Sequence, residues 1–228
     1  IGSRPSLMAD KPWIPDDWTF RNAGVASRFD DHVRETLPWY DLATHGVAHF
    51  LRAYVPEGGL VYDIGASTGN VARSVAETIE SRSLRFVGIE PSKQMVDIYD
   101  APGEIVCANA EEFPFEGFDV AVLFLVLMFI PVAERRPLLD RLKERLRPGG
   151  AILVVDKFPL PPGYLGSSMY RWTLKQKQSG GITMEEIAEK ELSLVGRQRP
   201  VVPALFDGFV EWLRVGEFRG LIHTGADT

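Results

Sequence analysis

With 228 residues, 45% of them hydrophobic, the chain can bury the core of one large domain or two small ones, which excludes a disordered or collagen-like chain. A single cysteine rules out an internal disulfide and fits a reducing, cytoplasmic setting, and four scattered histidines make a poor structural zinc site. With 25 Lys+Arg against 31 Asp+Glu, the net charge of −6 argues against broad binding to a polyanion and leaves only a local basic patch for that role.

Residues 1–22 read as a remnant before Met8, the expected natural start, followed by an extended arm anchored by Trp13 and Trp18. One domain is expected over residues 23–228. Its first part, 23–56, has helical spacing interrupted by Pro38 and predicts a two-helix cap. Residues 57–158 then alternate strand and helix. Strands are predicted at 60–64, 85–89, 104–108, 118–124 and 151–155, with helices at 71–81, 92–99 and 133–146 and a turn at Arg147-Pro148-Gly149-Gly150. The run Phe118–Phe124 is a Val/Leu/Phe run interrupted only by Asp119, as expected of a strand covered on both faces. This order predicts an α/β fold with a mainly parallel sheet and helices on both faces. Residues 159–216 predict a helical insertion with helices at 167–178, 183–194 and 204–215, and 217–228 contain a terminal strand at 218–224. The sheet is expected to have six strands, with a final antiparallel partner absent, disordered or supplied by a second chain, so a homodimer stays open. The longest apolar run, 120–131, is too short to cross a bilayer, and no leader precedes it; a soluble protein with no membrane partner is expected.

The most informative segment is Asp63-Ile64-Gly65-Ala66-Ser67-Thr68-Gly69-Asn70, which follows the first strand. Gly65 and Gly69 let the backbone bend tightly and approach a ligand closely. Glu90 ends the second strand 90 − 63 = 27 positions after Asp63, where a carboxylate can accept from a ribose diol. A dinucleotide fold would use the same acid, but Ser67 and Asn70 occupy the second and third glycine places of its fingerprint.

The order Asp-x-Gly-x-Ser-x-Gly instead resembles the first motif of the class I S-adenosylmethionine-dependent methyltransferases, which have a Rossmann-like fold. Gly88-Ile89-Glu90-Pro91-Ser92 resembles their acidic second motif, and Leu146–Gly150 the turn before strand five. The resemblance implies cofactor contacts from Tyr40, Asp63, Gly65, Ala66, Ser67, Gly69, Glu90, Asn109, Ala110 and Phe124, with Asn109 and Ala110 at the adenine. Within that class, Phe29-Asp30, Pro38-Trp39-Tyr40 and Asp156-Lys157-Phe158 resemble the CmoA-like family, read as using carboxy-S-adenosylmethionine to modify tRNA uridine.

Glu191 stands where that family supplies a carboxylate-binding arginine, and a glutamate would repel the extra carboxylate unless Arg197 or Arg199 takes the arginine's place. S-adenosylmethionine is therefore the expected cofactor in preference to its carboxylated form. Positioning carries most of the catalysis of methyl transfer, and no catalytic base is assigned. Phe124, Leu125, Met128 and Phe129 predict an apolar wall suited to a small organic or nucleoside-like acceptor, with tRNA kept open. RNA contact would require Arg135, Arg136, Arg141, Lys143, Arg145 and Arg147 to join Lys175, Lys177, Arg197 and Arg199 on one face. A noncatalytic cofactor-binding module is the competing expectation. His45 and His49, four apart on a predicted helix, are expected to be structural rather than metal ligands.

Overall fold

The computed structural model describes residues 29–226. The expectations for residues 1–22, and for the part of the cap at 23–28, lie outside the described residues. Helices α1 (Phe29–Thr36) and α2 (Tyr40–Tyr54) precede β1 (Leu60–Ile64). Short helices α3 (Asn70–Ser74) and α4 (Ala76–Ser81) lead to β2 (Arg85–Glu90), and α5 (Lys93–Val96) to β3 (Glu104–Cys107). Next come β4 (Phe118–Phe124), α6 (Val132–Arg145), β5 (Leu146–Lys157), α7 (Tyr164–Ser179), α8 (Met184–Ser193), β6 (Val210–Val215) and β7 (Phe218–Thr224).

The seven strands form one sheet in the order β3-β2-β1-β4-β5-β7-β6. The first five are parallel, while β7 runs antiparallel to both β5 and β6. Every residue of β1 and β4 is buried, which is why these strands read as apolar runs broken only by Asp63 and Asp119. Val61, Val122 and Leu153 face Ala43, Val47 and Leu51 of α2 in one core layer, and Tyr62, Leu123 and Ile152 join Leu138 and Leu142 of α6 in the other. Burying each such side chain stabilises the fold by ~1.5–3 kcal/mol before the entropy of ordering is counted.

The expected helix at 204–215 is corrected: a 3₁₀ turn at Pro203–Leu205 is followed by the strand β6. A register shift between Glu211 and Leu213 breaks the two-residue alternation, and as an edge strand β6 is mostly exposed or half-buried, so the segment lacked a strand signature. The sheet accordingly has seven strands rather than six, and the antiparallel partner belongs to this chain. The helix expected at 71–81 is interrupted at Val75 (φ −121°, ψ 17°), and that at 92–99 keeps only α5, capped by the Ser92 hydroxyl accepting from the Met95 amide. The turn expected at 147–150 lies within β5 at a register shift, with Gly149 at φ +73°.

Candidate active site

The strand order reverses between β1 and β4, and in open α/β sheets the crevice beyond the carboxyl ends of the strands at such a switch point holds ligands. A cavity of about 370 Å³ opens there. Asp63, Gly65, Ala66, Ser67, Glu90, Asn109, Ala110, Phe124 and Tyr40 all line it, so the structure brings together nine of the ten residues singled out from the sequence. Gly69 is the exception. It caps α3 at φ +94°, and a Cβ there would sit 2.4 Å from the Ala101 Cβ, so it shapes the loop from behind.

The glycine turn is held open by backbone bonds. The Gly65 and Ala66 amides both donate to the Ile89 carbonyl, at 2.8 and 3.2 Å. Glu90 Oε2 accepts from the Ser67 amide at 3.0 Å and Oε1 from the Ser92 amide at 2.9 Å, which fixes the carboxylate while each oxygen keeps capacity for a further donor. Burial raises the Glu90 carboxyl above its ordinary range, against these two amides, which lower it.

Asp63 is 1% exposed, and burial, with the nearby Glu90 charge, pushes its carboxyl up to about 7. Its Oδ2 has no hydrogen-bond partner among the described residues. Because the folded carboxyl holds a proton that the unfolded chain has released, stability falls as pH rises from about 4 through 7. Asp63→Asn should therefore be more stable than the wild-type ligand-free chain at about pH 8, by up to a few kcal/mol, with the difference vanishing near pH 4. Thermal melts at both pH values check this, and equal stability gaps would contradict the assigned titration.

The opposite wall comes from α1 and α2. Asp30 on α1 accepts from the Thr68 hydroxyl, from Asn70 Nδ2 at 2.7 Å and from Arg73 Nη2 at 2.7 Å, clamping that helix over the glycine loop. Tyr40 lies edge-on to Phe124 at 5.1 Å, and burial raises its hydroxyl pKa. Leu125, just beyond β4, takes φ +60°, and its amide donates to Val155 at 2.7 Å. Non-glycine residues in this region are uncommon and cluster at functional sites.

Of the polar residues that also line the cavity, His32, Lys157, Lys177, Lys190, Glu191 and Gln198, sequence reasoning set only Glu191 beside the cofactor. Lys177 Nζ lies 2.8 Å from Glu191 Oε1, Lys157 Nζ donates to Gln198 Oε1 at 3.0 Å, and Lys190 Nζ is 2.5 Å from His32 Nε2. Glu191 had been expected to repel a carboxylate. It is instead paired with Lys177 beside two more lysines, so its sign alone does not set the charge of this cluster. These groups come from α1, β5, α7, α8 and the following loop, and no local motif announces them.

Several of the basic residues named for RNA contact are engaged within the protein or at the cavity. Arg135 is buried and donates to the carbonyls of Met128, Ile130, Arg199 and Pro200; Arg141 reaches Ala110 and Lys143 reaches Asp207. Lys177 points into the cavity. His45 and His49 are exposed on α2, and among the described residues no group of three metal-ligating side chains occurs. No described helix is long and apolar enough to cross a membrane.

Residues 61–150 match a family described as methyltransferase domain. The carboxy-S-adenosyl-L-methionine synthase of Erwinia tasmaniensis is 29% identical over 203 residues, covering 85% of this chain and 82% of that protein. The synthase of a Shewanella species is 25% identical over 238 residues, covering 96% and 98%. These names describe making the carboxylated nucleoside, which differs from the use on tRNA expected from the resemblance. Magnesium protoporphyrin IX methyltransferase from Synechocystis, solved with bound S-adenosylhomocysteine, superposes with a TM-score of 0.55 at 16% identity over 87% of this chain and 94% of that one. The sheet order and the glycine turn at its switch point agree with the fold of that methyltransferase, and the segment that matches a methyltransferase domain, residues 61–150, spans the turn, the acid ending β2 and strand β4.

Proposed function

We propose that this chain binds S-adenosylmethionine in the switch-point cavity and transfers its methyl group to a small organic acceptor. The observation that carries this is that one cavity collects two sets of residues from different parts of the fold. From β1 and β2 come the glycine turn, Asp63 and Glu90; from β4, the turn after it and the helices come Phe124, Met128 and the lysine cluster. Glu90 would accept from the ribose hydroxyls, the unpartnered Asp63 Oδ2 from a donor N–H, and the Asn109 carbonyl from the adenine amine. Tyr40 and Phe124 present ring surface to which a cation is attracted. When bound, the donor supplies a sulfonium-activated carbon, and what this chain adds is alignment and exclusion of water.

The cavity is of the size typical of small-molecule sites, and α1, α7 and α8 contribute to its walls, which favours a metabolite over tRNA as the acceptor. A second reading, synthesis of the carboxylated donor, is favoured by the near full-length similarity to the synthases and by the lysines beside Glu191.

Calorimetry should show micromolar binding of S-adenosylmethionine and none of NAD. Incubation of methyl-labelled S-adenosylmethionine with a metabolite mixture should then give labelled product. Mass spectrometry of the nucleoside released from the purified chain separates the readings, because the carboxylated form is heavier by one carboxyl group. Absence of S-adenosylmethionine binding would sink both.

A further inference from the structure

We propose that Lys190, held by His32, is the proton acceptor of this cavity: its Nζ takes the proton that an O–H or N–H acceptor loses as the acceptor forms its bond to the transferred carbon. The proposal rests on the methyl-transfer reading and adds the base that the sequence did not reveal.

The geometry points to Lys190 for three reasons. First, it lines the cavity, yet it stands on α8, far in sequence from the glycine turn. Second, a neighbour holds its nitrogen in place. His32 Nε2 on α1 lies 2.5 Å away, and in the ring tautomer that accepts at Nε2 this contact uses an N–H of the amine and not its lone pair. Third, the charged groups around it disfavour an ammonium. Lys177 on α7 and Lys157 on β5 oppose it, while Glu191 on α8 favours it but is engaged by Lys177 at 2.8 Å. Burial first, and then Lys177, bring the Lys190 amine down to about 7. Burial, Lys190 and Lys177 bring the His32 ring down to about 3, so the ring stays neutral and does not compete for the proton. An amine poised near neutral pH is matched to general-base work.

The step balances. An acceptor X–H gives its proton to the neutral Nζ, which becomes an ammonium, and the X electron pair forms the new X–C bond. The C–S pair stays on sulfur, so the positive charge passes from sulfonium to Lys190.

The chain has seven lysines, few enough to follow individually by NMR of ¹³C-lysine-labelled protein saturated with S-adenosylhomocysteine. One signal, absent from Lys190→Met, should titrate near pH 7, and His32→Gln should move its midpoint. The kinetic arm uses phenol and 4-nitrophenol as probe acceptors with S-adenosylmethionine. Lys190→Met and Lys190→Arg should lower kcat on phenol ~100-fold or more with little change in KM, and lower it far less on 4-nitrophenol, a large fraction of which is already ionised without a base near neutral pH. A purely structural lysine would affect both acceptors alike. A Lys190 signal that stays protonated beyond about pH 9, or equal losses on the two phenols, would overturn the proposal. If the wild-type chain turns over neither phenol, methyl transfer to this acceptor class fails, and the lysine titration alone decides whether Lys190 can hold the proton.

Discussion

Gly65→Ala is expected to weaken S-adenosylmethionine binding ~100-fold or more in a chain that still folds. Gly65 sits at φ +72°, where a side chain costs of order 1–3 kcal/mol, and its added Cβ would lie 2.3 Å from Val126 Cγ2 and 3.2 Å from Cγ1. Val126 cannot simply rotate away, because valine is stiff at χ1 and a rotation exchanges one methyl for another. Nor can the backbone retreat easily on either side. The Gly65 amide is bonded to Ile89, and Leu125, which precedes Val126, is bonded to Val155 in a left-handed conformation. The turn that lines the cavity must therefore shift, and the Ser67 amide held by Glu90 shifts with it. Gly149→Ala supplies the control: its φ of +73° carries similar strain, but nothing lies within 4 Å of the added methyl, so stability should fall while affinity holds. Val126→Ala in the Gly65→Ala background should recover part of the affinity. Titration calorimetry on the wild type and the three variants checks the set, and unchanged affinity in Gly65→Ala would remove the glycine turn from the cofactor site.

What the sequence disclosed follows from which interactions are local. The parallel core was legible because β1 and β4 are buried on both faces, leaving apolar runs that need no tertiary context to recognise. The turn after β1 and the acid ending β2 were legible because they stand at adjacent strands' carboxyl ends, so their spacing in the chain reflects one β-α-β unit. The lysine cluster was hidden for the opposite reason. His32 and Lys190 are 158 positions apart and meet only after α1 and α8 dock, and neither carries a spacing signal of its own. Glu191 shows the hazard of assigning charge from one position: its repulsion was predicted without Lys177, which lies 14 residues earlier on another helix and pairs with it. The strand β6 was read as a helix because its bulge erases the alternation that distinguishes a strand.

Asp30→Ala tests whether the cap over the glycine loop is held by polar contacts or by packing. Asp30 accepts from Thr68, Asn70 and Arg73, and Arg73 Nη1 in turn donates to the Thr68 and Asp100 carbonyls. Two neutral donors at ~1 kcal/mol each and one charge-assisted bond, discounted because both partners are over a third exposed, give a loss of roughly 2–4 kcal/mol. That loss falls on the docking of α1, not on the sheet, since α1 buries only Val33 and Thr36 while α2 carries the packing against β4 and β5. The melting temperature should therefore move little. Amide exchange in α1 should accelerate, and S-adenosylmethionine affinity should fall ~10- to 100-fold as His32, Val33 and Thr36 leave the cavity wall. Asp30→Asn keeps one acceptor oxygen and should fall between the two. The distinction is sharp, because packing and polar clamping predict different partitions of the damage. If Asp30→Ala lowers the melting temperature as much as a core truncation does, or leaves α1 exchange unchanged, α1 is held by its apolar face and the polar clamp is incidental.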